Sequence, residues 1–325
     1  MKNLRLIFDS NNTAYRANCV TELYTKLGQR TSAIIGVLNI THSVVKDLEK
    51  SLQAPVAEII FAWDKGHSAR RKALFPEYKA NRKREKTEEE EIWMEEFIEQ
   101  ANILYESLPI FGVKCLRKPG FEGDDLVYGL VEALQCKHPE DIVVIISTDE
   151  DFHQLIGKNV CVYSPIKQIL FTLENYESLV GIPQELFLTY KILKGDSSDG
   201  IPGIPGIGDK TAKALVKTYG SLDKILSPNY RAELCKSKRT QKIFTAEGLQ
   251  TLSRNNQLIN LKDYVDLTEV SEEIQSLINT PPCLDKKAAT EFLKRFQLVS
   301  ILMKWHSWIQ VFEDCVSHYL EGDKY

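Results

Sequence analysis

Leu4-Arg-Leu-Ile-Phe-Asp9 is a short apolar run that ends on a carboxylate, and the same arrangement returns along the chain. Asp64 follows Ile59–Trp63, and Asp149 and Asp151 follow Val143–Ser147. Glu122, Asp124 and Asp125 come after Gly120, where a helical stretch begins. Asp196 and Asp199 flank Ser197-Ser198 in a glycine-bounded loop. Leu4–Phe8, Glu58–Trp63, Val113–Leu116 and Asp141–Ser147 read as short buried strands. Helical stretches lie between them at Ser32–Leu52, Thr87–Ser107 and Asp124–Cys136. Alternating strands and helices predict an α/β fold with a mostly parallel central sheet and helices on both faces. Such sheets carry functional groups at the carboxyl ends of their strands, where Asp9, Asp64 and Asp149 fall. One of these acids alone could be a cap or a turn residue. Gathered at one sheet edge they cannot all stay charged without cations. An all-oxygen donor set suits Mg²⁺ or Mn²⁺. The pattern predicts a two-metal phosphodiester hydrolase, with ions about 4 Å apart.

Composition sets outer bounds. The 325 residues are 43% hydrophobic and 26% charged, which is ordinary for a soluble protein of one large or two modest domains. No apolar run approaches a membrane span, and the N-terminus lacks a signal-peptide layout. The seven cysteines include no Cys-x-x-Cys pair, so reduced thiols in a cytosolic setting are expected, without a zinc site. The six histidines are dispersed, with no metal-ligand spacing and no Ser–His–Asp or Cys–His arrangement.

The net charge of −4 hides segregated charge. Lys65, Arg70, Arg71, Lys72, Lys79, Arg82, Lys83, Arg84 and Lys86 face only Glu77 and Glu85 over that stretch. Phe75, Pro76 and Tyr78 interrupt it, and aromatics among cations suit contact with single-stranded nucleic acid. The following run, Glu88–Glu91 with Glu95, Glu96 and Glu99, reads as a solvated helix face.

Beyond about Pro183 helices dominate, at Gln184–Lys194, Lys210–Tyr219, Ser221–Leu226 and Thr240–Arg254. Gly203-Ile-Pro-Gly-Ile-Gly-Asp-Lys-Thr-Ala sits among them. It is not a P-loop, because Asp209 separates the last glycine from Lys210 and a helix precedes it. It reads as a helix–hairpin–helix in which Gly203, Gly206 and Gly208 allow tight turning. Its amides would meet one duplex phosphate at a helix N-terminus. Lys210, Lys213 and Lys217 would add phosphate contacts that are independent of sequence and sensitive to salt. After Pro281-Pro282, Asp285 could cap a helix with apolar positions Phe292, Phe296, Val299, Met303 and Phe312.

Longer motifs carry a family resemblance. The string Gly195-Asp-Ser-Ser-Asp-Gly-Ile-Pro-Gly-Ile-Pro-Gly-Ile-Gly-Asp-Lys-Thr-Ala resembles the 5′-nuclease, or flap endonuclease, family. Supporting it are Phe8-Asp-Ser, Tyr15-Arg16, Ala62-Trp-Asp-Lys-Gly, Tyr78-Lys-Ala-Asn-Arg82, Phe121-Glu-Gly-Asp-Asp125 and Ser147-Thr-Asp-Glu-Asp-Phe152. That family includes the 5′-nuclease domain of bacterial DNA polymerase I and stand-alone phage enzymes of the ribonuclease H type. The resemblance implies a PIN-like nuclease core over residues 1–180, with a helical arch at about 65–107. It further implies a duplex-binding region over 181–265, which leaves a helical extension over 266–325. By resemblance Asp9, Asp64, Glu122 and Asp124 centre on a first metal, Asp149 and Asp151 lie near both, and Asp196 and Asp199 serve a second. Asp125 would act directly or through water. Lys79 would stabilise charge at the scissile phosphate and Arg82 would steer it in. Tyr15 would sit near unpaired end nucleotides, and Arg16, Lys65, Arg70, Arg71 and Thr211 would join the nucleic-acid contacts. K⁺ at the hairpin is a further implication.

Gly200 replaces the family's usual Asn, and His67 stands where a basic residue is common. The implied activity is 5′-3′ exonuclease and flap endonuclease cleavage in DNA replication and repair. The implied substrates are DNA with a 5′ flap, nick or free 5′ end, and RNA–DNA hybrids. A cytosolic, free-standing monomer of bacterial or phage origin is expected, without membrane contact. Its extension would pack on the core or dock a single-strand-binding protein or sliding clamp. Two other readings remain: a PIN-like ribonuclease that cuts RNA, and a non-catalytic junction-binding protein.

Overall fold

A computed structural model describes residues 2–66, 68–82 and 87–322. His67, Lys83, Arg84 and Lys86 of the basic stretch lie outside the described residues.

The core opens with β1 (Leu4–Asp9), α1 (Ser10–Val20), α2 (Ser32–Leu52), β2 (Val56–Trp63), α3 (Ala69–Leu74) and α4 (Glu88–Ser107). It continues through β3 (Lys114–Arg117), α5 (Gly123–Lys137), β4 (Ile142–Ile146), β5 (Val160–Ser164) and β6 (Ile169–Phe171). The sheet order is β3-β2-β1-β4-β5-β6, parallel except for the antiparallel edge strand β6. β1 and β2 are buried along nearly their whole length, as strands covered on both faces must be. Ile7, Ile60 and Ile145 point into one core layer, shared with α5 and the later helices. Leu6, Phe8, Phe61 and Ile146 point into the other, against α2. The Phe8 and Phe61 rings stack at 4.5 Å between paired strands. Thr87 starts α4 through a capping box: its hydroxyl accepts from Glu90 N at 3.2 Å, and Glu90 accepts from Thr87 N at 3.1 Å.

The helical part follows as α6 (Tyr176–Val180), α7 (Phe187–Lys194), a small antiparallel pair β7 (Gly195–Asp196) and β8 (Ile201–Pro202), and α8 (Asp209–Tyr219). Then come α9 (Leu222–Leu226), α10 (Pro228–Leu234), α11 (Ala246–Ile259), α12 (Leu261–Tyr264) and α13 (Ser271–Asn279). The helix expected over Thr240–Arg254 is split, because Thr245 turns extended and caps α11 by accepting from Gly248 N.

The single helix expected beyond Asp285 is three: α14 (Lys286–Arg295), α15 (Val299–Leu302) and α16 (Trp305–Gly322). Asp285 does cap α14, accepting from Ala288 N at 2.9 Å. Gln297, at φ 55°, ends the run in the left-handed region. The break turns Val299 and Met303 outward, 58% and 81% exposed, so they do not belong to the packing stripe. Phe292, Phe296, Ile301, Trp308 and Phe312 do, buried in the same layer as α2 and β2. α16 lies along β2, and Tyr319 covers a buried ionic network at the amino ends of the strands. There Arg5 pairs with Glu58 (2.6 Å) and Asp141 (2.8 Å), and Lys114 pairs with Glu58 (2.5 Å). The Tyr319 ring stands over Lys114 and Arg5 at 4.4 and 5.8 Å, and its hydroxyl donates to the Ile278 carbonyl.

Candidate active site

The acids sit at the opposite end of the sheet, where the chain order reverses between β1 and β4. Asp9 ends β1 and caps α1. Asp64 follows β2, Glu122 caps α5 beyond β3, and Asp149 follows β4. Ser147 links the two central strands, donating to Asp9 Oδ2 at 2.8 Å and accepting from Asp149 N at 3.0 Å. Asp64 Oδ1 accepts from the Gly123 amide, and a Cβ at Gly123 would lie 2.9 Å from that oxygen, so a larger residue there would displace the Asp64 carboxylate. A cleft of about 1710 Å³ opens above, lined by Asp9, Asp64, Glu122, Asp124, Asp149, Asp151 and Asp199. Tyr15, Arg16, Lys79 and Arg82 stand on its walls.

Four of the chain's own cations reach into this acid cluster. Arg71, expected as a nucleic-acid contact, is instead buried with its guanidinium on Glu122 (2.7 Å), Asp124 (3.0 Å) and Asp125 (2.8 Å). Lys79 reaches Glu122 at 3.1 Å, and Arg82 reaches Asp199 at 2.7 Å. Lys191 on α7 bridges Asp151 and Asp196, both at 2.7 Å. Two expected metal ligands are therefore turned from the cleft. Asp196 spends Oδ2 on Lys191 and Oδ1 on the Ser198 amide and hydroxyl. Asp125 gives both oxygens to Arg71 and also accepts from Glu122 N. Arg70, also expected on nucleic acid, is half-buried and donates to the Gln257 carbonyl at 2.9 Å.

Asp9, Asp64 and Asp149 differ. Among the described residues no Lys or Arg stands within ion-pair distance of them. Burial, then the charge of Asp64, raises Asp9 to about 7. Asp64 is raised by burial. Asp149 is raised by burial, with Asp9 and Asp199 adding repulsion, to about 6. Asp151 rises through burial to about 8, with Asp149 and Asp196 repelling it and Lys191 opposing. Glu122 is lowered: burial works against its charge, but Lys79 and Arg71 outweigh it. Asp196, buried yet held by Lys191 and Ser198, falls to about 2.

The donors are oxygens only, and the three unpaired acids repel each other at the sheet switch. That chemistry fits hard divalent cations. Among the described residues no three of these side chains are yet gathered around one point. Arg71, Lys79 and Lys191 hold oxygens that a cation would have to draw inward.

The hairpin lies between α7 and α8. A Cβ on Gly203 would meet Lys194 O at 2.1 Å, so the close approach of backbone to backbone demands glycine there. Gly206 has φ +90°. Gly208, the N-cap of α8, sits at an ordinary φ of −93° with open space around its α-carbon. The first intrahelical amide of α8 belongs to Ala212, which leaves those of Asp209, Lys210 and Thr211 at the helix mouth. Lys210 and Lys217 are exposed, while Lys213 pairs with Asp209 at 3.4 Å. Lys65 and Arg16 are exposed, and Arg16 donates to Asn12. Tyr15 is 46% exposed and meets Trp93 and Phe97 edge-on at 5.2 and 5.5 Å.

Sequence reasoning did not single out Lys191, Ser147, Trp93 or the role of Tyr78. The Tyr78 hydroxyl lies 2.9 Å from Glu122 and 3.1 Å from Asp199, so it bridges two acids. Lys191 carried a legible signal, a lysine among Leu188, Ile192 and Leu193 on the apolar side of a helix.

A family model described as "5′-3′ exonuclease, N-terminal resolvase-like domain" matches residues 4–181. Another, "5′-3′ exonuclease, C-terminal SAM fold", matches residues 182–281. A DNA polymerase I of Caldicellulosiruptor bescii is 34% identical over 257 residues, covering 77% of this chain and 28% of that protein. The chain thus spans under a third of the polymerase relatives that it matches. A 5′-3′ exonuclease of Aquifex aeolicus is 29% identical over 82% of this chain and 84% of its own length. A bacteriophage T5 protein co-crystallised with metal ions superposes with a TM-score of 0.65 at 26% identity, covering 85% of this chain and 99% of that one.

Proposed function

Because this chain belongs to the 5′-3′ exonuclease family, we propose that it is a structure-specific, divalent-metal-dependent 5′ nuclease acting at junctions between single strand and duplex. Its substrates are DNA with a 5′ flap, nick or free 5′ end, and RNA annealed to DNA. The single observation that carries this reading is the set Asp9, Asp64 and Asp149, which share one cleft at the sheet switch without a Lys or Arg partner among the described residues.

Mg²⁺ or Mn²⁺ would be held by Asp9, Asp64, Asp149, Glu122 and Asp124, with Asp151 and Asp199 toward a second ion. When bound, such ions activate water and stabilise the departing oxygen. The chain's own residues do the remainder. Lys79 and Arg82 receive the scissile phosphate as they turn from Glu122 and Asp199, and their charge offsets the charge that grows there. The Tyr15–Trp93–Phe97 cluster offers a face on which an unpaired base can stack. The α8 mouth takes a duplex phosphate, with K⁺ as its accompanying cation, and Lys210, Lys213 and Lys217 extend that grip. Residues 1–180 cut, 181–265 hold duplex, and 266–325 brace the sheet. Removal of RNA primers and 5′ flaps during replication and repair is the cellular task. A reducing, cytosolic setting is in keeping with seven cysteines that are all free.

The test compares a 5′-labelled flap duplex with single-stranded RNA in Mg²⁺. The nuclease reading expects junction cleavage of the flap and little cutting of RNA. Preference for RNA would favour a ribonuclease, and flap binding without cleavage would favour a passive junction binder.

A further inference from the structure

Arg71 stands in the basic run of the chain, yet its side chain is only 1% exposed. Its guanidinium spans the cap and first turn of α5, which carry three acids, and the end of a distant helix. Nη1 lies 2.7 Å from Glu122 Oε2. Nη1 and Nη2 together grip Asp124 at 3.2 and 3.0 Å, and Asp125 at 3.3 and 2.8 Å. Nε donates to the Leu258 carbonyl at 3.3 Å, near the last turn of α11. The neighbouring Arg70 donates to the Gln257 carbonyl, so α3 holds that helix end twice.

α11 is itself fastened to the region around the glycine hairpin. Asn255, fully buried, donates to the Ile192 and Pro202 carbonyls at 3.0 and 2.9 Å. A continuous set of contacts therefore runs from the hairpin flank through α11 and Arg71 to Glu122 and Asp124. We propose that Arg71 is a positioning residue for cleavage: its planar fork sets the angle of Glu122 and Asp124 and ties them to the duplex-holding helices. The inference rests on the nuclease reading above.

Only a guanidinium meets these contacts. A lysine would keep the charge, but one ammonium cannot pair two carboxylates bidentately and also reach a backbone carbonyl. Asp125 completes the device: it accepts from Glu122 N at 3.1 Å while facing Arg71, so the α5 cap and the fork are locked together. The fork also places a permanent positive charge beside acids of the cleft. Its removal leaves the cleft more negative, which favours divalent cations even as the acids lose their alignment. Metal affinity and turnover then move in opposite directions, whereas damage to the fold lowers both.

The experiment uses the full chain with Arg71→Gln and Arg71→Lys. Mn²⁺ binding is followed by electron paramagnetic resonance, flap affinity in Ca²⁺, single-turnover flap cleavage in Mg²⁺, and folding by urea denaturation. Arg71→Gln should bind Mn²⁺ at least as tightly as the parent, keep its flap affinity, and cleave about 100-fold more slowly, as misplacement of reacting groups by an ångström does. Arg71→Lys should also be slow, with Mn²⁺ affinity near the parent's, and it carries the test should the Gln variant fail to fold. Parent-like cleavage by either folded variant overturns the inference. So does weaker Mn²⁺ binding that tracks the loss of rate. A parent chain that never cuts flap DNA defeats the nuclease reading instead, and the Mn²⁺ comparison then judges Arg71 alone.

Discussion

Replacing Asp9 by asparagine separates the stability of the acidic cleft from its chemistry. Asp9 is lifted from an ordinary 3.8 to about 7, by burial first and by Asp64 next. Between those values the native chain keeps a proton on Asp9 that the unfolded chain has released. Where the native state binds more protons, stability falls as pH rises. The contribution of Asp9 is therefore intact below about pH 4 and lost progressively until about pH 7. A shift of about 3 pH units corresponds to about 4 kcal/mol. That is a ceiling, because water in the open cleft screens the charge, and about 2 kcal/mol is the expected cost. Asparagine keeps the shape, and the Ser147 hydroxyl can accept from an amide as well as donate to a carboxylate. In EDTA, Asp9→Asn should match the parent near pH 4 and exceed it by about 2 kcal/mol at pH 8. Urea denaturation at the two pH values measures this. Added Mg²⁺ should stabilise the parent more than the variant, and the variant should not turn over. A variant no more stable than the parent at pH 8 in EDTA would show that Asp9 carries no electrostatic cost, and the case for a cation there would fail with it.

Three further outcomes follow from the same geometry. Lys79→Ala removes the ammonium 3.1 Å from Glu122, and single-turnover flap cleavage should fall about 100-fold while affinity in Ca²⁺ holds; an affinity loss alone would make Lys79 a binding residue. Tyr319→Ala uncovers the Arg5–Glu58–Lys114 network and should cost about 3 kcal/mol in urea denaturation, whereas an unchanged midpoint would mean that α16 braces nothing. Lys213→Ala should lower the slope of log affinity for flap DNA against log salt by about 1, and an unaltered slope would remove Lys213 from the phosphate contacts.

The sheet was readable because its strands are apolar runs punctuated by acids, and chain order alone brings Asp9, Asp64 and Asp149 to one edge. Ser32–Leu52 was readable to the residue, since its apolar period is unbroken. β5 was overlooked although Val160-Cys-Val-Tyr-Ser164 is buried throughout, because no acid marks its end. β6 is three residues long and gives no periodicity at all. Arg71 and Lys191 show the deeper limit. A basic residue is read as solvent-facing unless its partners are known, and here the partners lie 51 to 54 residues away for Arg71. Val299 and Met303 fit a helical period, but the left-handed turn at Gln297 resets it, and a single polar residue gives little warning of that.

Carboxylates at the sheet switch that hold the cutting ions distinguish a nuclease from a passive junction binder. Single-turnover cleavage of a 5′-labelled flap in Mg²⁺, by the parent and by Asp149→Asn with Asp151→Asn, tests this most directly. The parent should release a product cut near the junction, while the double variant binds the same flap in Ca²⁺ and leaves it whole. Parent-like cleavage by the double variant would contradict the account.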